Sequence, residues 1–419
     1  MLVEQARESN GNKRIPSGAA FSRRLLSSGA RETVSLHPRP MTSGATTGEG
    51  NTMKKNKYLS ILVACTMFVG CSEDSPITAP DEPLGYTHVG SPAQSLEEFE
   101  GVVERIRTDL KIPGLSAAIT KDQKIVWAKG FGYASKEGQI HATPQTVYHL
   151  ASVTKPFAAT IVMQLVEENK LTLETPVSNY GVELEAEGVI RVKHLLSHTS
   201  EGVPGTSYRY NGGRYAYLDA VISGASGKSL CQSLQERILL PLNLSLTAPN
   251  PFAPNNCLQN AAVLEQLAQG YSANGQKPMP LPTLFNSAAG LVSNVLDVST
   301  FSIAVDNNVL LTEASKELMF TPFLSNNDVE LPHGLGWFVD NDEAVKIIWH
   351  YGYWDSYSAL ILKVPERELS FVVLANSNRL SSASDGLGTD EDVNRSVVAQ
   401  EFLNAFVYGT AQLPDSSVY

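Results

Sequence analysis

Apolar residues recur at helical spacing near both ends of the folded part of the chain. The first set consists of Leu96, Phe99, Val103, Ile106 and Leu110. A period of three to four residues predicts an amphipathic helix, and Ile112-Pro113-Gly114 ends it. The segment from Asp392 to Tyr408 has the same pattern, with apolar positions at Val397, Val398, Phe402 and Phe406. The pattern therefore predicts a helix near each end of this part of the chain.

Between these two helices, other runs of residues favour β-strands. Residues 115–120 and 124–133 are joined by Lys121-Asp122-Gln123, which predicts a hairpin packed on the first helix. Four further strands are predicted at Leu335–Asp340, Ala344–His350, Ser358–Val364 and Leu369–Ala375. The tight link of residues 365–368 makes the last two strands antiparallel. We expect an antiparallel sheet covered by helices from both chain ends.

The middle of the chain has a different pattern. From about Leu173 to Phe285, short helical segments alternate with Pro, Gly and Asn. We interpret residues 173–285 as a mainly helical lobe inserted into a sheet lobe of residues 96–172 and 286–419. The fold class is α/β of the α+β type, and the length of 96–419 suits about two lobes.

The first 95 residues divide into three segments of different composition. Residues 1–52 are rich in Ser, Gly, Thr and Arg without hydrophobic periodicity, so we expect a disordered or non-native extension. Residues 53–71 combine three lysines, a short apolar run and a terminal Cys71, which is typical of a secretory signal. A buried N-terminal helix is the alternative. Residues 72–95 are an acidic, proline-rich linker.

The signal segment ends in Phe68-Val69-Gly70-Cys71, which resembles a bacterial lipoprotein signal. The resemblance implies that Cys71 is lipidated and becomes the mature N-terminus of an exported, periplasmic or outer-membrane protein. We expect Met53 to be the true start. N-terminal sequencing of the native protein that finds residues before Cys71 would contradict this prediction.

The charge of the chain excludes some partners. The formal net charge is −11, and residues 71–419 alone hold 22 basic against 39 acidic residues. An acidic body argues against nucleic acid or an anionic membrane surface as a main partner. Membrane contact is expected only through a lipid anchor at Cys71.

The candidate chemistry centres on Ser152-Val153-Thr154-Lys155, the one Ser-x-x-Lys in the chain. Phe157, Ile161 and Leu165 predict a helix after Ser152, and Pro156 fits its first turn. Residues three apart share a helix face, so the Lys155 amine reaches the Ser152 hydroxyl. A serine nucleophile needs such a base and an oxyanion site, which a helix N-terminus offers. The alternative is a helix-capping serine beside a solvated lysine.

Two further clusters fit an acyl-transfer site. Residues 204–215 form a loop dense in glycine and tyrosine that enters a helix at Leu218–Ile222. Residues 349–353, Trp-His-Tyr-Gly-Tyr, lie at the end of a predicted strand, where a glycine permits close approach. Some aromatic side chains of 349–354 are expected to face a cleft, where an apolar acyl group binds.

From Leu96 to Tyr408, the chain resembles the serine hydrolases of the class C β-lactamase and penicillin-binding-protein family. The matching motifs are Ile112-Pro113-Gly114-Leu115-Ser116, Leu150–Phe157, Leu195-Leu196-Ser197-His198-Thr199-Ser200, Ala289–Ser293, Gly334-Leu335-Gly336-Trp337 and His350-Tyr351-Gly352. The family includes D-Ala-D-Ala carboxypeptidases, D-aminopeptidases and family VIII esterases. The resemblance implies the β-lactamase/transpeptidase-like fold.

The resemblance also implies a role for each matching residue. Ser152 is the expected nucleophile, Lys155 holds and deprotonates it, and Tyr210 relays the proton to the leaving group. His350 is expected to donate a hydrogen bond to substrate or to Tyr210. The oxyanion is expected at the N–H groups of Ser152 and Tyr353, which follows the close-approach Gly352. Whether Lys155 or Tyr210 takes the proton first stays open.

Two departures from the family pattern bear on the substrate. Asn211-Gly212 follows Tyr210, so the family's asparagine is absent from its usual place, and whether Asn211 substitutes as a substrate ligand stays open. A His-x-Gly motif in place of Lys-Thr-Gly is more similar to the D-aminoacyl peptidases and esterases than to true β-lactamases.

Other candidate sites are weaker. His194 and His198 have metal-ligand spacing but lack an evident third ligand, so we expect no metal and no cofactor. No Gly-x-Ser-x-Gly occurs, which excludes the α/β-hydrolase nucleophile elbow. Cys231 and Cys257 are either a disulfide or two free buried thiols.

We therefore expect a serine hydrolase that forms an acyl-enzyme at Ser152. Its partner would be a small-molecule or peptide substrate: a D-amino-acid peptide, a β-lactam-like amide, or an ester. The first alternative is a short-chain carboxylesterase, and the second is a non-catalytic penicillin-binding sensor. The oligomeric state does not follow from the sequence.

Overall fold

The structure is a computed structural model that describes residues 91–258, 260–341, 345–381 and 392–417. The predicted extension 1–52, the signal segment with Cys71 and most of the linker 72–95 lie outside these ranges. The described residues belong to one compact unit. None of the helices formed by these residues is long and apolar enough to span a membrane.

The β-structure comprises one large sheet and two small ones. Its twelve strands in the described ranges are β1 Gly114–Lys121, β2 Lys124–Ser135, β3 Ile140–His141, β4 Tyr148–His149, β5 Ala248–Pro249, β6 Gly270–Tyr271, β7 Pro278–Met279, β8 Leu291–Ser293, β9 Phe338–Asn341, β10 Lys346–Trp354, β11 Tyr357–Val364 and β12 Leu369–Ala375. The large sheet has the order β3-β2-β1-β12-β11-β10-β9, with antiparallel neighbours throughout. The predicted antiparallel sheet is therefore confirmed.

Ten α-helices lie within the same ranges. They are α1 Leu96–Asp109, α2 Thr154–Glu167, α3 Val192–Leu196, α4 Gly212–Tyr215, α5 Leu218–Ser226, α6 Leu230–Leu234, α7 Ala261–Gln266, α8 Val295–Asp306, α9 Glu313–Met319 and α10 Val397–Phe406. Short 3₁₀ turns occupy Ala151–Val153, Val177–Tyr180, Pro365–Arg367, Asn378–Leu380 and Val393–Arg395, and Gln235–Leu239 is a π-helical turn.

The large sheet separates two apolar cores because successive strand residues face opposite sides. On one side, Phe99 of α1 and Phe402 of α10 pack against Phe371 of β12. On the other side, Phe157 of α2 stacks on Phe301 of α8 with ring centres 3.8 Å apart. Helices from both chain ends cover the first face, as the hydrophobic pattern predicts.

Several predicted boundaries need correction. The strand expected to end at His350 continues to Trp354, because residues 351–354 pair in register with β11. The terminal helix begins at Val397, after the 3₁₀ turn Val393–Arg395. His350 therefore lies in the middle of a strand, and its exposure is decided by the sheet's packing.

Residues 173–285 hold the short helices α3–α7 and three two-residue strands. A disulfide joins Cys231 of α6 to Cys257, which decides between the two alternatives left open by the sequence. The link crosses 26 positions of an otherwise loop-rich region. Such a crosslink reduces the conformational entropy of the unfolded chain, and it thereby contributes about 3 kcal/mol to the stability of the fold.

Candidate active site

Ser152 lies in the middle of the 3₁₀ turn that leads into α2, just before the helix itself. The preceding Ala151 is buried and has φ 45°, a left-handed conformation that costs a non-glycine residue about 1 kcal/mol or more. Its N–H donates to His149 Nδ1 at 3.2 Å. The turn's own hydrogen bonds begin with Val153 N–H to Leu150 O, so Ser152 N–H precedes them. The strained residue Ala151 therefore leads into a turn that leaves both the hydroxyl and the N–H of Ser152 free to face a substrate.

Lys155 is 1% exposed, on the first turn of α2. Its Nζ lies 3.0 Å from Ser152 Oγ and 3.1 Å from the carbonyl oxygen of Ala288. The same nitrogen is 4.7 Å from the ring centre of Tyr210 and 5.4 Å from that of Tyr215. The one-turn spacing of serine and lysine thus becomes a direct contact in a site from which water is largely excluded.

Tyr210 lies in the loop before α4, with its ring stacked on His198 at 4.3 Å. Burial raises the pKa of its hydroxyl well above the usual value, and hydrogen bonding to the Ser152 hydroxyl acts in the opposite direction. The phenol oxygen lies beside the Ser152 hydroxyl, although the two do not form a hydrogen bond of good geometry. A raised pKa keeps Tyr210 protonated at neutral pH, which suits a proton donor.

His350 lies on β10 and is completely buried. Its Nδ1 is 2.7 Å from the carbonyl oxygen of Tyr351, so Nδ1 carries the proton and donates. Burial lowers the pKa of His350 well below its usual value, with Lys155 and His333 adding to the effect. In this neutral ring Nε2 is an acceptor. The expected donation from His350 to substrate or to Tyr210 would need the other tautomer or a protonated ring, and it stays a prediction.

Gly352 brings β10 against the turn that carries Ser152. A Cβ at this position would lie 2.2 Å from the carbonyl oxygen of Leu150, so only glycine fits without displacement. The Gly352 carbonyl accepts from Ser381 Oγ at 2.7 Å. Tyr353 follows with a half-buried side chain whose pKa is raised by burial. This packing places the backbone of Tyr353 next to the turn that carries Ser152, and the role of Tyr353 in an oxyanion site stays a prediction.

Asn211 is not brought into the site by its side chain. Its Oδ1 accepts from Arg214 N–H at 2.8 Å as the N-cap of α4, and its Nδ2 donates to Glu201 at 2.7 Å. The position that faces the lysine is Gly212, where a Cβ would be 3.8 Å from Lys155 Nζ. Asn211 therefore caps a helix, and both polar atoms of its amide are held by Arg214 and Glu201.

A group of buried histidines surrounds the site. His198, His333 and His350 are linked by ring distances of 4.9 Å and 6.1 Å. Burial lowers the pKa of His333 to about 3 and that of His198 well below its usual value. In the sequence, the family motif at 195–200 and the spacing from His194 pointed to His198, whereas nothing pointed to His333. We call these three rings and His149, each at most 3% exposed, the buried histidines; His194, at 5%, is not included in the term.

The spacing of His194 and His198 does not produce a shared site. His194 Nδ1 accepts from Arg191 N–H at 3.1 Å, whereas His198 Nδ1 accepts from Asn211 N–H at 3.1 Å. Within the described ranges, no group of three or more His, Cys, Asp or Glu side chains is placed to hold a metal ion. Each of the two rings therefore accepts a hydrogen bond from a different segment of the backbone.

The chain is similar in sequence to a known protein family and to individual bacterial proteins. The family model described as Beta-lactamase matches residues 99–392. Protein flp of Staphylococcus aureus (strain MW2) is 26% identical over 333 residues, covering 68% of this chain and 64% of that protein. Penicillin-binding protein 4* of Bacillus subtilis (strain 168) is 24% identical over 301 residues, covering 60% and 65%. The match spans less than two thirds of either relative's length.

Solved structures share the fold. The octameric penicillin-binding protein homologue from Pyrococcus abyssi aligns with a TM-score of 0.61 and 26% identity, covering 67% of this chain and 73% of that one. The D-alanine carboxypeptidase AmpC from Burkholderia cenocepacia aligns with a TM-score of 0.61 and 19% identity, covering 73% and 99%. At that identity, the second likeness concerns the fold alone.

Proposed function

Because the chain belongs to the β-lactamase family, whose members are generally serine hydrolases, we propose that it forms an acyl-enzyme at Ser152 and hydrolyses a small amide or ester. The observation that carries the proposal is the 3.0 Å contact between Lys155 Nζ and Ser152 Oγ in a buried site. A capping serine beside a solvated lysine would leave the amine in water. The side chain of Lys155 is instead buried.

The geometry supports a two-step acyl transfer. Ser152 Oγ attacks the substrate carbonyl carbon while its proton passes to the amine of Lys155. The oxyanion is held by the N–H of Ser152 and that of Tyr353. The bond to the leaving group then breaks, and the leaving group takes a proton through Tyr210. Water hydrolyses the acyl-enzyme by the reverse sequence, which restores Ser152 and releases the acid.

The residues next to Lys155, Asn211 and Gly212, bear on which substrate class fits the site. A site that binds an amide strongly needs a side chain to pair with the amide's polar groups. Here Gly212 faces Lys155, and Asn211 is held by Arg214 and Glu201. This favours the carboxylesterase alternative over efficient turnover of β-lactams or D-amino-acid peptides. A non-catalytic penicillin-binding sensor is the remaining alternative.

The test is time-resolved intact mass of the full chain with benzylpenicillin and, separately, with p-nitrophenyl acetate. The variants are Ser152→Ala and, as a matched control, Ser299→Ala, which alters a buried serine of α8. We expect ester hydrolysis that depends on Ser152 and not on Ser299. A persistent penicilloyl adduct would favour a peptidase or sensor, and free penicilloate a β-lactamase. Ester turnover that survives in Ser152→Ala would overturn the catalytic assignment.

A further inference from the structure

The ring of His149 contacts both the turn that carries Ser152 and the end of β10. His149 is the last residue of β4 and is completely buried. Its ring centre is 5.4 Å from that of Trp354 and 5.9 Å from that of Tyr357, the pair that closes the hairpin of β10 and β11. Trp354 directly follows Tyr353, and Ser152 lies three positions after His149. One side chain is therefore in contact with the two segments that carry the predicted oxyanion donors.

The hydrogen bond of this ring is made by its unprotonated nitrogen. His149 Nδ1 accepts from the Ala151 N–H at 3.2 Å. Burial lowers the pKa of His149 to about 3, so the ring is neutral at neutral pH and its proton is on Nε2. Among the described residues, Nε2 has no hydrogen-bond partner. A buried polar group without a partner is destabilising, so packing alone favours an apolar side chain here, and the acceptor Nδ1 accounts for the histidine.

Ala151 is the residue whose conformation this hydrogen bond controls. Its φ of 45° is left-handed, a conformation that a non-glycine residue keeps only where its surroundings enforce it. Its carbonyl oxygen accepts from Thr154 Oγ1 at 2.7 Å, and that hydroxyl oxygen accepts from the Leu291 N–H of β8 at 3.1 Å. Both backbone polar groups of Ala151 are thus held by side chains, the N–H by His149 and the carbonyl by Thr154.

These two hydrogen bonds orient successive peptide units, each of which is planar with its C=O and N–H pointing in opposite directions. In the first unit, the Leu150 carbonyl lies against Gly352 and the Ala151 N–H bonds to His149. The second unit joins the Ala151 carbonyl to the Ser152 N–H. Because the two units share the Cα of Ala151, a rotation of the first unit changes the direction of the Ser152 N–H. The hydrogen bond to His149 therefore fixes one donor of the predicted oxyanion site.

We propose that His149 is a positioning residue of the oxyanion site. Through its hydrogen bond from Ala151 it orients the Ser152 N–H. Through its packing on Trp354 it holds the strand end that carries Tyr353. The inference rests on the proposed function, because the oxyanion is that of the proposed acyl transfer. A substrate carbonyl develops its negative charge only towards the transition state, so loss of the ring should lower kcat while KM stays nearly unchanged.

Asparagine and leucine separate the acceptor from the packing of the ring. Their side chains have the same branched shape, but only asparagine has an acceptor oxygen on the atom that corresponds to Nδ1. His149→Asn therefore keeps the hydrogen bond from Ala151, whereas His149→Leu removes it. The matched control is His194→Leu. His194 is also a buried histidine whose Nδ1 accepts from a backbone N–H, that of Arg191 at 3.1 Å, and it lies outside the candidate active site.

The experiment measures steady-state kinetics of the full-length protein with p-nitrophenyl acetate, together with urea denaturation. His149→Leu should lower kcat by about 30- to 100-fold with KM changed less than about threefold, because a misplaced oxyanion donor slows both acylation and deacylation. His149→Asn should recover at least about tenfold of that loss, because the acceptor is restored. His194→Leu should lower the urea midpoint and leave kcat unchanged.

The wild type tests the proposed function, and the variants test the positioning role. Absence of Ser152-dependent hydrolysis in the wild type overturns the proposed function, and this inference with it. Ser152-dependent hydrolysis with unchanged kcat in His149→Leu, or with an equal loss in His149→Leu and His149→Asn, overturns the inference alone. Failure of both variants to fold also overturns it, because the ring then has a structural role. Long-range proton–nitrogen NMR of the wild type gives a second measurement, in which a proton on His149 Nδ1 overturns the inference without any variant.

Discussion

Two buried lysines in this protein show how surroundings decide what a residue does. Lys363 and Lys155 are each 1% exposed. Lys363 binds Asp306 Oδ2 at 2.8 Å and Ser302 Oγ at 2.5 Å, and this ion pair opposes the lowering of its pKa by burial. Lys155 instead donates to a serine hydroxyl and a carbonyl oxygen. The first arrangement neutralises a charge, and the second places an amine against a nucleophile.

Replacing each lysine by methionine should separate these roles. Lys155→Met should lower kcat/KM for p-nitrophenyl acetate by roughly a thousandfold or more, because the base is removed. Lys363→Met should retain kcat/KM but lose about 3 kcal/mol of stability, because Asp306 loses its partner. Steady-state kinetics and urea denaturation measure the two effects. More than a tenth of wild-type kcat/KM in Lys155→Met would contradict its assignment as base.

At the scale of elements, the site depends on the junction between β10 and the 3₁₀ turn Ala151–Val153. Gly352 lies against the carbonyl of Leu150, and Ala151 holds a left-handed conformation within the turn. These two features fix the approach of the strand to Ser152. The helix α2 then places Lys155 one turn further on. The predicted oxyanion site therefore consists of backbone whose position depends on packing between elements.

Gly352→Ala should disrupt this junction. A Cβ placed 2.2 Å from a backbone oxygen forces β10 or the turn to move, so we expect at least a hundredfold loss in kcat/KM and a loss of about 2 kcal/mol in stability. Kinetics and thermal unfolding measure both. Gly101→Ala is the matched control, since a Cβ there meets nothing within 4 Å and alanine favours the helix α1. Wild-type activity in Gly352→Ala would contradict the proposed oxyanion geometry.

At the scale of the whole molecule, the fold buries titratable rings around one large sheet. Burial lowers the pKa of His149 and that of His333 to about 3, and it lowers the pKa of His198 and that of His350 well below the usual value. Neutral rings in the folded state bind fewer protons than the unfolded chain at mildly acidic pH. Their contribution to stability is complete above the unfolded pKa of about 6.5, and it is lost as the pH falls towards their folded pKa values.

Acid should therefore destabilise this protein strongly. His149 and His333 each cost about 2 kcal/mol at pH 5 relative to pH 7.5, and His198 and His350 act in the same direction. Asp219 and Asp297 offset part of this loss because their pKa values are raised. Urea denaturation at both pH values measures the difference. His333→Gln should reduce it by about 2 kcal/mol, whereas His141→Gln, at an exposed site, should not. Equal stability at pH 5 and 7.5 would contradict the prediction.

The sequence by itself determined the main elements and the contact between Ser152 and Lys155. Helical periodicity predicted α1, α2 and α10, β-strand runs predicted the antiparallel sheet, and a spacing of three placed Lys155 beside Ser152. These features are local, because residues within one turn or one strand are neighbours wherever the element lies. The family motifs added Tyr210 and the approach of Gly352, although the role of each residue stays a prediction.

Only the tertiary structure decided what depends on distant parts of the chain. Asn211 is held by Glu201 and Arg214, so Gly212 faces Lys155, and the tautomer of His350 follows from its burial beside the Tyr351 carbonyl. The carbonyl that binds Lys155 is 133 positions away, and Asp219 meets Ser287 across 68 positions. No local spacing encodes such contacts, because they form only when separate elements pack against each other.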